Sequence, residues 1–226
     1  MLKTATSFLV FLFLMFLSFF LLFAASPIFA TNNTLFTDDF EDNNFDNWQV
    51  IKGVWEIKEM MGNHMIGTDI ETQDTVAEII AGQESWDNYI YEVDMVALEG
   101  ADKNIVFRIE DNDNKYGIHM RSKYDEYTRS LVCIERWNNK NINGVPSFWD
   151  KCWERDFIND KVYHLKIIAF DNNIKFYVDN DLVIDFTDEE APITKGKIGL
   201  RVTTGANFPT EVYFDNIKVT PIREPV

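Results

Sequence analysis

From residue 53 to residue 220 the chain repeats one pattern: a short run rich in Val, Ile, Phe, Tyr and Trp, broken abruptly by a cluster of Asn, Asp and Gly. Spacing of this kind, a run every ten to fifteen residues with no amphipathic helix of useful length between them, restricts the chain to an all-β fold. Strands are predicted over 53–58, 64–67, 75–80, 89–98, 104–110, 116–121, 130–137, 163–170, 172–178, 197–202 and 211–220. That number exceeds one sheet's comfortable width, so two stacked antiparallel sheets, each burying one face, are expected.

Alternation within the runs supports the stack. In 89–97 the side chains of Tyr89, Tyr91, Val93, Met95 and Ala97 fall on one face and those of Glu92 and Asp94 on the other, as a half-buried strand requires. Leu165, Ile167 and Ala169 oppose His164, Lys166 and Ile168 in the same way, and Ile105, Phe107 and Ile109 are expected to oppose Val106, Arg108 and Glu110. The breaks are turn chemistry: Asp111-Asn112-Asp113-Asn114, Asp171-Asn172-Asn173 and Asp179-Asn180-Asp181 are residues that tolerate left-handed backbone and bond to it locally.

Residues 1–30 stand apart. Lys3 precedes an apolar stretch of about 18 residues that ends in Ala24-Ala25-Ser26-Pro27-Ile28-Phe29-Ala30, the three-part layout of a cleavable signal peptide. An uncleaved anchor is the alternative, because about 20 apolar residues span a bilayer. Either way the remainder lies outside the cytoplasm, secreted, extracellular or in the cell envelope, and touches a membrane only through that segment. Residues 31–222 are then one β-domain, with 223–226 a tail. The 37 acidic residues against 21 basic ones leave a net charge of −16 that repels nucleic acid and anionic lipid. Cys133 and Cys152 suit a single disulfide in an oxidising compartment, with two unpaired thiols as the alternative.

Several landmarks follow one another in a particular order: Asp38-Asp39-Phe40 with Trp48; Gly53-Val54-Trp55-Glu56-Ile57; Trp86-Asp87-Asn88-Tyr89; Val106-Phe107-Arg108 with 111–116; 174–179; Gly196-Lys197-Ile198-Gly199-Leu200; and Val212-Tyr213-Phe214-Asp215-Asn216-Ile217-Lys218-Val219. This order resembles the concanavalin A-like lectin/glucanase domains, and within them the laminin G-like and 3-keto-disaccharide hydrolase-like branch. The resemblance implies a jelly-roll sandwich with a concave face that often meets sugar. It names no sugar, since one such architecture hosts lectins, glycan-binding modules, glycosidases and adhesion domains. Trp48, Trp55 and Trp86 sit in its structural landmarks and are assigned to the core.

Catalytic motifs are poorly supported. A glycosidase needs two carboxylates across one cleft. The best match, Glu92-Val93-Asp94-Met95-Val96-Ala97-Leu98-Glu99, puts Glu99 seven residues from Glu92 and so on the opposite face unless a bulge intervenes. His64, His119 and His164 make no metal-ligand spacing, and Lys115 in fifth place and the missing glycine rule out an EF-hand at Asp111. A structural Ca2+ is the remaining metal candidate. Asp39 and Glu41 in the first segment and Asp215 in the last strand converge if those elements are neighbours, and related domains carry such an ion. Turn and capping roles for these carboxylates are the alternative.

Sugar recognition requires less: an aromatic plane and fixed hydrogen-bonding forks. Arg108, His119 and Arg121 fall on polar faces of consecutive strands, Glu135 and Trp137 share a face of the next, and Arg136 points the other way. A long loop over 138–154, carrying Phe148, Trp149 and Trp153 beside Cys152, is expected to flank them. The favoured expectation is a non-catalytic, lectin-like domain binding a glycan or polysaccharide through Arg108, His119, Arg121, Glu135, Trp137 and Trp149. A glycoside-active enzyme using Glu135 and an extracellular protein-binding adhesion domain are the alternatives.

Overall fold

The computed structural model describes residues 34–60, 62–138, 148–205 and 208–223, with the backbone alone for 148–150. The leader, most of the loop between residues 138 and 148, the Trp149 side chain and the last three residues lie outside the described residues. The strands are β1 (Phe36–Asp38), β2 (Trp48–Lys52), β3 (Glu56–Met60), β4 (Asn63–Ile70), β5 (Val76–Ala81), β6 (Tyr89–Glu99), β7 (Asp102–Asp111), β8 (Asn114–Arg121), β9 (Leu131–Asn138), β10 (Phe148–Glu154), β11 (Val162–Phe170), β12 (Asn173–Val178), β13 (Asp181–Thr187), β14 (Lys197–Thr203) and β15 (Thr210–Pro221).

They form the two antiparallel sheets expected. The first runs β13-β12-β11-β6-β15-β4-β3, with β1 also on β15; the second runs β10-β9-β8-β7-β14-β5-β2. Between them lies one core, to which β6 contributes Tyr89, Tyr91, Val93, Met95 and Ala97 and β8 contributes Tyr116, Ile118 and Met120. Trp48, Trp55 and Trp86 are buried in it, and Trp48 Nε1 donates to Asp38 Oδ2 at 2.9 Å. The turn residues adopt the expected left-handed backbone: φ is 48° at Asp171, 51° at Asp179 and 71° at Asn180.

Four strands appear that the runs did not suggest: β1, β2, β10 and β13. Three of these are sheet edges. An edge strand buries little, so its apolar alternation is weak, and β13 (DLVIDFT) is mostly exposed or half-buried. Strand β10 corrects the expected loop over 138–154. Phe148–Glu154 pairs with β9, and Trp153, half-buried, packs against the main core instead of lining a loop. Cys133 and Cys152 face each other directly across this pair, 4.0 Å apart at Cα, and are joined as a disulfide.

Candidate functional site

The residues expected to form one polar row separate into two groups, and Arg108 is the correction. A β-bulge does this. Lys197 pairs with Ile109 and Gly199 with Val106, so Phe107 and Arg108 together oppose Ile198 alone, and Arg108 takes φ 47°. The extra residue breaks the alternation: Ile109 joins Val106 on the outer face, and the Arg108 side chain turns inward and is fully buried. Its guanidinium donates to the backbone carbonyls of Asp171, Ile193 (2.8 Å) and Asp87 (3.3 Å) and to Asn88 Oδ1 (3.4 Å). Arg108 is thus a staple between the turns at one end of the sandwich. Arg136 is interior as expected, where it donates to Asp188 Oδ2 at 2.6 Å.

His119, Arg121, Glu135 and Trp137 do share one surface, the outer face of the second sheet. Register places Glu135 beside Gly117, Gly117 beside Val106, Val106 beside Gly199 and Gly199 beside Ile80, a row crossing five strands. Trp137 lies flat over Gly117, where an added Cβ would come within 2.5 Å of its ring. The glycine is required for this close approach. Trp137 is therefore 9% exposed, a floor more than a free stacking plane.

That floor is held by charge. Lys115 Nζ lies 5.7 Å from the Trp137 ring centroid and Arg201 Cζ 5.6 Å, and both cations bind opposite oxygens of Glu78. Register puts Glu78 in the row of Arg201, Asn104 and His119, so on a flat sheet it would stand three strands across and four residues along from Lys115, roughly 19 Å away, farther than their side chains reach together. Their contact shows that the face curves inward, with Gly117 and Gly199 leaving the space. Burial pushes the Lys115 amine down, against the pull of Glu78.

Beside this floor, His119 bridges two carboxylates. Nδ1 meets Glu135 Oε1 at 3.0 Å and Nε2 meets Asp102 Oδ1 at 2.9 Å. Burial opposes a charge on the ring, but the hydrogen bonds it donates to Asp102 and Glu135 outweigh it and raise its pKa to about 9. At neutral pH it is an imidazolium with both N–H groups engaged. Its role is to fix the two carboxylates, each of which keeps lone pairs for further donors. Arg121 continues the face toward the β8–β9 loop, with Nε donating to Arg129 O at 3.4 Å.

Asp102, Glu78, Lys115 and Arg201 were not foreseen. Glu78 carried a signal, being the one charge in the apolar strand VAEIIA, as did the mid-strand glycines Gly117 and Gly199.

Of the expected calcium ligands, Asp215 lies on the other sheet, and Asp39 and Glu41 lie in the turn that follows β1. Asp215 is buried on β15, and its pKa is raised to about 6 by burial and then by Asp94, Glu41 and Asp39, with the Asn216 backbone N–H working against them. Glu41 and Asp39 thus lie close enough to Asp215 to disfavour its charge. Glu41 Oε1 accepts from His64 N at 3.0 Å and Oε2 lies 3.2 Å from His64 Nδ1, while Asp39 Oδ1 accepts from Glu41 N in its own turn. Among the described residues no group of three His, Cys, Asp or Glu side chains is arranged to hold a metal. Asp94, with Glu92, faces outward and pairs with His164.

Against known proteins, the model of the 3-keto-alpha-glucoside-1,2-lyase-like domain matches residues 35–220, nearly every described residue of the sandwich. The chain belongs to that family. A curated relative of this 3-keto-alpha-glucoside-1,2-lyase-like domain is an uncharacterized protein of Methanocaldococcus jannaschii, 27% identical over 83% of this chain and 80% of its own. Carbohydrate binding module CBM66 from Bacillus subtilis superposes with a TM-score of 0.57 at 22% identity, covering 78% of this chain and 97% of the module. The exoplasmic/lumenal domain of VIP36, in a form bound to Ca2+ and Man3GlcNAc, superposes with a TM-score of 0.58 at 12% identity over 87% and 91%. These likenesses place the domain's two-sheet sandwich among jelly-roll folds.

Proposed function

We propose that this chain is a carbohydrate-binding, lectin-like module that works outside the cytoplasm and reads a glycan on the curved outer face of the second sheet. One observation carries the reading: Asp102 and Glu135 are clamped by His119 beside a Trp137 floor that Lys115, Arg201 and Glu78 lock in place. Sugar hydroxyls need acceptors and donors fixed before binding, because ordering long side chains at an interface costs roughly 0.5–1.5 kcal/mol each. Here that ordering is already present in the protein. The two carboxylates accept from hydroxyls, and Arg201 and Arg121 donate. The bound sugars in the superposable VIP36 structure and the module status of CBM66 support the same reading, and the Cys133–Cys152 disulfide supports an oxidising compartment.

A catalytic reading has the family's lyase-like description behind it. The geometry favours it less. An imidazole whose pKa is about 9 is protonated at neutral pH and cannot serve as a base.

A glycan array probed with the purified domain tests the proposal. Binding that disappears in Glu135→Gln and Asp102→Asn variants with unchanged thermal unfolding is the expected result. Binding that survives both substitutions would reject this face.

A further inference from the structure

The curved face continues past Arg121 into a second feature that the glycan reading does not use. Arg121, Leu131 and Glu154 form the last paired row of β8, β9 and β10, two pairs beyond His119, Cys133 and Cys152. At this end opens a cleft of about 380 Å3 lined by Lys123, Thr128, Arg129, Ser130, Glu154, Arg155 and Asp156.

The β8–β9 connection above the cleft is held by its own hydrogen bonds. Asp125 Oδ1 accepts from Tyr127 N at 2.9 Å and Thr128 N at 2.8 Å, Thr128 Oγ1 accepts from Tyr124 N and Asp125 N at 3.1 Å each, and Ser130 Oγ accepts from Lys123 N at 3.0 Å. This small network holds Tyr127 86% exposed and Tyr124 39% exposed, each next in sequence to a residue of the cleft wall. Below them, Arg129 and Glu154 pair at 3.0 Å with most of both side chains in solvent. The result is a paired donor and acceptor on the cleft wall, with two exposed tyrosines adjoining that wall in sequence.

We infer that this cleft is a second carbohydrate subsite, which takes a neutral sugar residue farther along a chain whose first residue sits at Asp102 and Glu135. It rests on the glycan reading above and extends it to an oligosaccharide ligand. A pyranose or furanose has an apolar face for a tyrosine ring and an equatorial rim of hydroxyls for the Arg129–Glu154 fork. The lining's mixture of cations and carboxylates suits hydroxyls, which both donate and accept, better than a bare anion. The subsite depends on the loop's rigidity, since ordering it upon binding would weaken the gain.

The test uses a printed series of neutral oligosaccharides, two to six residues long, built on glucose, mannose, galactose and fructose backbones, with the full domain as probe. For at least one backbone, affinity is expected to rise tenfold or more from the dimer to a longer member. Tyr127→Ala and Arg129→Ala together should remove that increment and leave dimer affinity unchanged, while Tyr127→Phe keeps it. Glu135→Gln should lose both. Equal binding of all lengths by the wild type, or a length increment that persists in the double variant, would overturn the subsite and leave the face reading intact. No binding to any member of the series would overturn both.

Discussion

Truncating Arg108 separates a structural staple from a ligand contact. In Arg108→Ala the Cβ remains, so the backbone keeps its φ of 47° and any strain there is unchanged. What is lost is the guanidinium. Ile193 O and Asp171 O then lose a charged donor at a buried site. Leaving buried acceptors without a partner costs about 1–3 kcal/mol each, and the emptied volume adds to this. A net destabilisation of about 3–5 kcal/mol is expected. For a domain of this size each kcal/mol moves Tm by roughly 2–4 °C, so thermal unfolding followed by tryptophan fluorescence should shift downward by about 6–20 °C. Arg108→Lys should recover little, because a single ammonium cannot reach three turns as a planar fork does. A variant that unfolds within a degree of the wild type yet loses glycan binding would refute the reasoning and return Arg108 to the ligand face.

Three further substitutions follow from the electrostatics and the disulfide. His119 has a pKa raised to about 9 in the folded protein, so its contribution to stability is complete below the unfolded value of about 6.5 and is lost as pH rises through 9. His119→Gln should flatten the stability profile across that window, and an unchanged slope between pH 6.5 and 9 would show that the clamp is not ionic. Asp215 has the opposite sign for a carboxylate: with its pKa raised to about 6, the charged form is disfavoured in the fold at neutral pH. Asp215→Asn is expected to stabilise by about 1–3 kcal/mol at pH 7.5 and by little at pH 4; destabilisation at pH 7.5, together with a calcium-dependent Tm of the wild type, would mean that the carboxylate holds a cation. Replacing Cys133 and Cys152 by Ser opens a loop of 19 residues and should cost about 3 kcal/mol in urea unfolding.

The architecture could be read from the chain because interior strands announce themselves. Tyr89 to Met95 alternate cleanly, being buried on one face only, and Asp171 and Asp179 mark turns whose backbone suits few other residues. The edges β2, β10 and β13 could not be read in the same way, since little burial leaves little pattern. The site was half visible for a related reason. His119, Glu135 and Trp137 follow from strict alternation on β8 and β9, which carry no bulge. Arg108 does not, because the bulge at Phe107–Arg108 reverses every face beyond it, and no residue type in that stretch signals the insertion. Lys115, Glu78 and Arg201 come from strands far apart in sequence, and their meeting depends on the curvature of the sheet.

The central claim is that a glycan lies on the curved face of the second sheet, and backbone amide chemical-shift mapping tests it most directly. Titration of a labelled domain with an array-positive oligosaccharide should move the amides of Gly117, His119, Glu135 and Arg201 together, and leave those of Glu92, Asp94 and Lys166 on the opposite sheet in place. Shifts confined to the first sheet, or to a loop remote from His119, would contradict the account.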